Sequence, residues 1–183
     1  MNVSPLRFAI VLELDDVASA AVRQITQLVA TVARESALSV TAVAPHVTLA
    51  ACRNLDIEQL RPLLADLAAR TPVVATTLAS IGVFPAEESV IFLAPAITEE
   101  LVEVQLGILT RLQDLGGEVE PYWLPGQWVP HCTLATGIPP ELISRMVEGA
   151  LKILRPISAS LVRLSLVEIN SPRRLYAIEL KPG

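Results

Sequence analysis

Residues that commonly bind metals or form disulfides are scarce in this sequence. Its 183 residues include two histidines and two cysteines. Cys52 and Cys132 lack the spacing of a disulfide framework, which favours a reducing cytoplasmic compartment over a secreted scaffold. The sequence has no C-x-x-C and no H-E-x-x-H motif, so the common metal signatures are missing and we expect no metal or other cofactor.

Excess basic charge and long apolar runs are also lacking. The net charge of −5 argues against broad binding to duplex DNA, which relies on many Lys and Arg contacts to phosphates. Binding of a small anionic ligand, or of the end of a nucleic-acid strand, is compatible with this charge. Although 52% of the residues are hydrophobic, the run at residues 8–12 is closed by acidic residues. It is too short to span a bilayer and has no signal-peptide features around it, so no membrane association is expected. The oligomeric state is left open.

One hexapeptide occurs twice. Pro45-His46-Val47-Thr48-Leu49-Ala50 and Pro130-His131-Cys132-Thr133-Leu134-Ala135 agree at five of six positions and are 85 residues apart. Both histidines of the protein lie in these two copies.

Each copy is predicted to be a strand with one polar and one apolar face. Alternate side chains of a strand share a face, so His46 and Thr48 point one way while Val47 and Leu49 point into a core. The second copy has the same pattern. If the two strands come together, a pair of imidazoles is flanked by a pair of hydroxyls.

The remaining pattern mixes strands with amphipathic helices. Strands are predicted at 7–14, 43–52, 73–84, 89–94, 129–136, 157–169 and 174–180. Helices are predicted after Asp15 or Asp16 (ending near Ser36), after Asp56, after Thr98 and after Pro139-Pro140. The second half loosely repeats the first, and no linker separates the halves. We therefore expect a single α+β domain over 1–183, with two similar lobes and two mainly antiparallel sheets.

Paired imidazoles suit displacement at phosphorus. Histidine titrates near neutrality, so one ring can accept a proton while the other donates one. The hydroxyls of Thr48 and Thr133 can donate to phosphoryl oxygens, where charge accumulates in the transition state. The scheme requires no metal. The alternative is that duplicated strands keep a His-Thr pair only for hydrogen bonding.

The two hexamers resemble the paired H-x-[ST] motifs of the 2H phosphoesterase superfamily. They are most similar to its 2′-5′ RNA ligase and cyclic phosphodiesterase branch, with support from residues 81–85 and 128–130. The resemblance implies a LigT-like bilobal fold with pseudo-twofold symmetry and a groove between the lobes. It also implies metal-independent action on 2′,3′-cyclic phosphates or 2′-5′ linkages of RNA ends or nucleotides. In hydrolysis, the family pattern makes His131 the base and His46 the acid.

Other residues are candidates for substrate binding. Four aromatic side chains are placed to stack a base beside the groove or, alternatively, to pack the seam between lobes: Phe84, Tyr122, Trp123 and Trp128. Arg53 follows the first motif strand and either steadies a phosphate or is a solvated surface charge. Arg173 and Arg174 adjoin a predicted turn and are expected at the surface.

Two further classes of function remain open at this stage. A binding module for RNA ends or nucleotides would keep the fold without turnover, and a structural protein with duplicated lobes would bind nothing. Two intact motifs favour the enzyme, because a site without turnover would tolerate the loss of one histidine.

Overall fold

The computed structural model describes residues 6–33, 43–86 and 89–182. Its seven strands are β1 (Phe8–Leu14), β2 (His46–Cys52), β3 (Val74–Phe84), β4 (Ser89–Pro95), β5 (Cys132–Ile138), β6 (Ile157–Glu168) and β7 (Arg173–Glu179). Its four α-helices are α1 (Asp16–Ala33), α2 (Ile57–Arg70), α3 (Glu99–Asp114) and α4 (Pro140–Ile153). Within the described residues, no helix is both long and apolar enough to cross a membrane.

The helices begin at the predicted capping residues. Asp15, rather than Asp16, caps α1, because its Oδ1 accepts the Ala18 N–H at 2.9 Å. Its Oδ2 also accepts the Ser160 N–H at 2.6 Å, which ties the helix start to β6. Asp56 and Thr98 cap α2 and α3 as predicted. The predicted end of α1 near Ser36 lies outside the described residues.

All seven strands join one sheet, which corrects the expectation of two. The order is β2-β1-β6-β3-β4-β5, with β7 also paired to β6, and every pairing between these strands is antiparallel. The reason is the length of β6: residues 157–161 pair with β3, while residues 161–168 pair with β1. One strand thus belongs to both halves. The pseudo-twofold symmetry stays a prediction.

The sheet curls so that its two ends meet. β2 and β5, at opposite ends of the strand order, contact each other, and the helices pack as the pairs α1–α4 and α2–α3. All seven residues of β1 are buried, and Phe8, Ile10, Leu12 and Leu14 belong to the main core. Ala9 and Val11 form a second small apolar cluster with Val167, separate from the main core. Both faces of β1 are therefore covered.

Candidate active site

Both motifs have the alternation predicted for them. The core contains Val47, Leu49, Cys132 and Leu134, none more than 2% exposed. The polar members of the motifs are all partly exposed: His46, Thr48, His131 and Thr133. Both motif strands are shorter than predicted. β2 begins at His46, and β5 begins at Cys132, so His131 lies immediately before its strand.

The two imidazoles are oriented by the same local contact. His46 Nδ1 lies 2.7 Å from the Ala44 carbonyl oxygen, and His131 Nδ1 lies 2.7 Å from that of Val129. A carbonyl only accepts, so each Nδ1 carries a hydrogen and donates it. In the neutral ring, Nε2 is then the atom with a free lone pair. Both histidines therefore keep Nε2 for proton exchange.

Burial lowers the pKa of both imidazoles, and the charge of His131 acts on His46 as well. Burial is the main cause that lowers the pKa of His46 below its ordinary 6.5, and positive charge on His131 lowers it further. Burial likewise lowers the pKa of His131. The donated Nδ1 hydrogen bonds oppose the fall in pKa in both rings. Protonation of His131 therefore disfavours protonation of His46.

The surroundings of the two rings differ. His46 lies directly opposite Glu13 in the β1–β2 ladder, and the negative charge of Glu13 raises the pKa of His46 against the effect of burial. His131 instead packs against two phenyl rings, edge-on to Phe84 at 4.9 Å and tilted to Phe92 at 5.3 Å between ring centroids. The first histidine has a carboxylate neighbour and the second has apolar ones.

Glu13 is a buried acid that the sequence interpretation missed. Its side chain is 0% exposed. It accepts hydrogen bonds from Ser165 Oγ at 2.7 Å, Arg163 Nη1 at 2.9 Å and Arg174 Nη1 at 2.9 Å. Burial alone would raise the pKa of this carboxyl, but the three donors outweigh it and the pKa lies below 4.5. Its position as the one acid in the otherwise apolar strand β1 could have indicated this role from the sequence.

Arg173 and Arg174 are both exposed, as expected, but they pair with different acids. The Arg173 side chain is 68% exposed and pairs with Glu168. Arg174 is 47% exposed and reaches back to the buried Glu13.

An aromatic cavity of about 510 Å³ adjoins the second motif. The four aromatic candidates line it together with His131: Phe84, Tyr122, Trp123 and Trp128. Trp128 also packs against the main core, and its Nε1 donates to the Thr48 carbonyl at 3.0 Å. Trp128 thus lines the cavity and packs the seam between the motif strands.

Gly82 makes room for the inner wall of this cavity. A Cβ at Gly82 would lie 2.2 Å from Phe92 Cζ, so only glycine leaves space for that ring. Phe92 in turn stacks on Phe84, with 4.4 Å between centroids. Because both rings contact His131, the missing side chain helps to position the second motif.

The segment that carries the tryptophans is fastened to β2. The buried Gln105 donates from Nε2 to the Trp123 carbonyl at 2.7 Å and to that of Leu49 at 3.4 Å. The Glu120 N–H donates to the Ala51 carbonyl at 3.0 Å, and the Glu120 carboxylate pairs with Arg53. The Arg53 side chain is only 18% exposed and is absent from the lining of the aromatic cavity. Arg53 therefore stabilises this segment instead of standing free at the surface.

The two threonine hydroxyls are available to a ligand. In the part of the chain that the structure describes, neither Thr48 nor Thr133 makes a side-chain hydrogen bond. Also within that part, no three His, Cys, Asp or Glu side chains group as metal ligands.

Comparisons with known proteins agree on the fold. LigT from E. coli, solved with 3′-AMP, is 17% identical with a TM-score of 0.61, over 98% of this chain and 99% of LigT. TT0787 of Thermus thermophilus is 18% identical with a TM-score of 0.63, over 97% of this chain and 99% of TT0787. Usb1 of Kluyveromyces marxianus is 14% identical with a TM-score of 0.50, over 96% of both chains. No curated protein matches the sequence significantly.

The family follows from the sequence itself. A family model described as the 2′-5′ RNA ligase superfamily matches residues 14–173, which include both His-Thr motifs. The match covers most of the 183 residues. The chain therefore belongs to the 2′-5′ RNA ligase superfamily, whose members are 2H phosphoesterases.

Proposed function

We propose that this protein is an enzyme that acts on a 2′,3′-cyclic phosphate or a 2′-5′ phosphodiester of RNA ends or nucleotides. The observation that carries the proposal is the matched pair of imidazoles. Each ring donates from Nδ1 to the carbonyl two residues earlier, and positive charge on His131 lowers the pKa of His46. A phosphate between them would meet two Nε2 atoms and two threonine hydroxyls.

In hydrolysis, His131 serves as the base and His46 as the acid. Neutral His131 Nε2 takes a proton from water as the water oxygen bonds to phosphorus. The bond from phosphorus to one ribose oxygen breaks, and that oxygen takes the proton from His46 Nε2. Thr48 and Thr133 donate to the non-bridging oxygens, where negative charge increases in the transition state. The product is a phosphomonoester. In ligation the hydroxyl of a second RNA end takes the place of water, and the product is a phosphodiester.

The surroundings of the rings support this division of roles. Burial lowers the pKa of His46, and the carboxylate of Glu13 opposes that fall, which favours the charged form that an acid needs. The phenyl rings beside His131 favour a neutral base. The aromatic cavity next to His131 suits a nucleobase, since flat aromatic side chains stack on bases with little sequence preference. LigT structures hold 3′-AMP, NADP⁺ and ATP, and we extend nucleotide binding to this chain.

The test is turnover of a panel of 2′,3′-cyclic nucleotides and a 2′-5′-linked dinucleotide, with product identified chromatographically. We expect a phosphomonoester from the cyclic substrates with wild type and almost none with His46→Ala or His131→Ala. A ligand-induced rise in melting temperature without turnover would instead support the alternative, a non-catalytic RNA-end or nucleotide-binding module.

Removal of metal ions by a chelator tests whether the side chains alone catalyse the reaction. Because protons and hydroxyls carry the whole scheme, we expect turnover to survive dialysis against EDTA. Loss of turnover that a divalent ion restores would replace this scheme with metal-assisted hydrolysis.

A further inference from the structure

A second, smaller cavity of about 160 Å³ is lined by Glu13, Val43, Ala44 and Arg174. It adjoins the first motif, because Ala44 supplies the carbonyl that orients His46 and Glu13 lies opposite His46 in the ladder. Directly opposite residues of antiparallel strands have Cα atoms about 4.5–5.5 Å apart. Among the described residues, the small cavity and the aromatic cavity share no lining residue. A group bound in it would be additional to a base bound beside His131.

Arg174 is the cation of this cavity, and only part of its guanidinium is engaged. Its Nη1 donates to both oxygens of Glu13, at 3.1 and 2.9 Å. A guanidinium has five N–H donors, of which Nε and Nη2 carry three. Across residues 6–33, 43–86 and 89–182, these two nitrogens have no hydrogen-bond acceptor. The buried carboxylate fixes one edge of the side chain and leaves donors for a ligand.

The charges around the cavity favour an anion. Two guanidiniums, those of Arg163 and Arg174, share the single buried carboxylate of Glu13. Arg163 also pairs with Glu179, whose side chain is 62% exposed, so water screens that second acid. Arg174 itself shares the one buried carboxylate with Arg163 and has no second acid among the described residues. It is the arginine that lines the cavity.

We infer that Arg174 forms a second phosphate subsite, which binds the phosphate one nucleotide away from the reacting one. The inference rests on the proposed function, because it takes His46 and His131 as the place where the first phosphate reacts. The site would then bind three parts of an RNA 3′ end: the cyclic phosphate at the histidines, the base in the aromatic cavity and the flanking phosphate on Arg174. A terminal nucleotide with a 5′-phosphate is then a better substrate than the same nucleoside without one.

The experiment compares a nucleoside 2′,3′-cyclic phosphate with its 5′-phosphorylated form. For wild type we expect the added phosphate to raise kcat/KM about tenfold, mainly through KM, as charge-assisted hydrogen bonds to phosphate do. Arg174→Gln should lower the ratio of kcat/KM for the two substrates to about one, and this ratio within one variant does not depend on that variant's basal activity. The matched control is Arg173→Gln, which alters the exposed neighbour and should keep the full gain. Arg174→Lys should preserve the charge beside Glu13, and so the fold, but lose most of the gain, because one ammonium replaces the planar fork.

A binding measurement separates failure of this inference from failure of the proposed function. Tryptophan fluorescence titration with a nucleoside 3′,5′-bisphosphate and a nucleoside 3′-monophosphate needs no turnover, and we expect about tenfold tighter binding of the bisphosphate in wild type only. If wild type shows no turnover but prefers the bisphosphate, and Arg174→Lys loses that preference, the enzyme proposal is wrong and the subsite is supported. Equal affinity for the two ligands in wild type, or a preference that survives in both Arg174 variants, would overturn the subsite even if the cyclic phosphate is hydrolysed.

Discussion

At the residue scale, each histidine combines a fixed orientation with a different environment. The 2.7 Å hydrogen bond from Nδ1 is the same in both motifs. Glu13 beside His46 and Phe84 beside His131 are not equivalent. A repeated strand thus gives two rings of the same geometry, whose protonation can still differ.

Removing either imidazole should abolish most of the activity. His46→Ala and His131→Ala should each lower kcat by about 10²–10⁴-fold, the usual loss for an acid or a base. Thr48→Ala and Thr133→Ala should cost about 10–10³-fold, since each removes one donor to the phosphoryl oxygens. Thr110→Ala, an exposed threonine on α3, is the matched control and should match wild type. A folded histidine variant with normal turnover would remove that residue from the proton-transfer scheme.

The pH dependence should be bell-shaped, with its maximum on the acidic side of neutrality. Only the form with one neutral and one protonated ring is productive, and burial lowers the pKa of both His46 and His131 below 6.5. As the pH rises through these lowered values the acid is lost, so kcat/KM should be greatest below about pH 6.5. Bound phosphate stabilises the charged rings, so the kcat limbs should lie at higher pH.

Measurements of kcat/KM from about pH 5 to 9 on wild type and both alanine variants test this profile. Residual activity of His131→Ala should lack the acidic limb, and that of His46→Ala the alkaline limb. A flat wild-type profile with chemistry rate-limiting would contradict two-histidine catalysis.

At the scale of the elements, the antiparallel pair β3–β4 supports the second motif. Phe92 on β4 lies over Gly82 on β3 and contacts both Phe84 and His131. The pairing of β3 with β4 thus builds this wall of the cavity, and Gly82 leaves the space that the Phe92 ring occupies.

Gly82→Ala should disturb this wall. The new Cβ, 2.2 Å from the present position of Phe92 Cζ, would push the ring towards His131. We expect a loss of about 1–3 kcal/mol in unfolding free energy and a larger relative loss of kcat/KM. The double variant Gly82→Ala/Phe92→Leu restores space and should recover stability. An unchanged melting curve together with full activity in the single variant would show that Phe92 has room to move without consequence.

At the scale of the whole molecule, one buried carboxylate ties together three strands that are distant in sequence. Glu13 on β1 binds Arg163 and Ser165 on β6 and Arg174 on β7. These contacts span 150 residues or more, so they form only when the sheet is assembled. Glu13 is therefore part of the stability of the fold as well as a neighbour of His46.

Glu13→Gln should destabilise the protein at neutral pH and much less in acid. The pKa of Glu13 is lowered in the folded state, so its contribution is complete above the unfolded value near 4.5 and is lost as the pH falls through the folded value. We expect a difference of about 1–3 kcal/mol near pH 7, because a hydrogen-bonded charge is replaced beside two partly exposed arginines. Denaturant melts of both proteins between about pH 3 and 7 measure it. A constant difference down to pH 3 would contradict this ionisation account.

Features whose causes lie a few residues apart could be predicted from the sequence. The alternation of His46 and Thr48 against Val47 and Leu49 follows from the two-residue period of a strand. The caps at Asp56 and Thr98 follow from free N–H groups within the next turn. The repeated hexamer also indicated the family, because a motif of a few residues survives where overall identity to solved structures is only 14–19%.

Features whose partners are far apart in the chain became visible only in the folded protein. A strand pattern shows which face is apolar but not how many neighbours β6 has, so two sheets were expected where one exists. Arg174 pairs with Glu13, 161 residues away, whereas its neighbour Arg173 pairs with Glu168. Nothing in the local sequence distinguishes the two arginines. The ion pair of Arg53 with Glu120 likewise depends on a segment that returns to β2. Hydrogen bonds and charges act through space, and the folded sheet sets the distances over which they act.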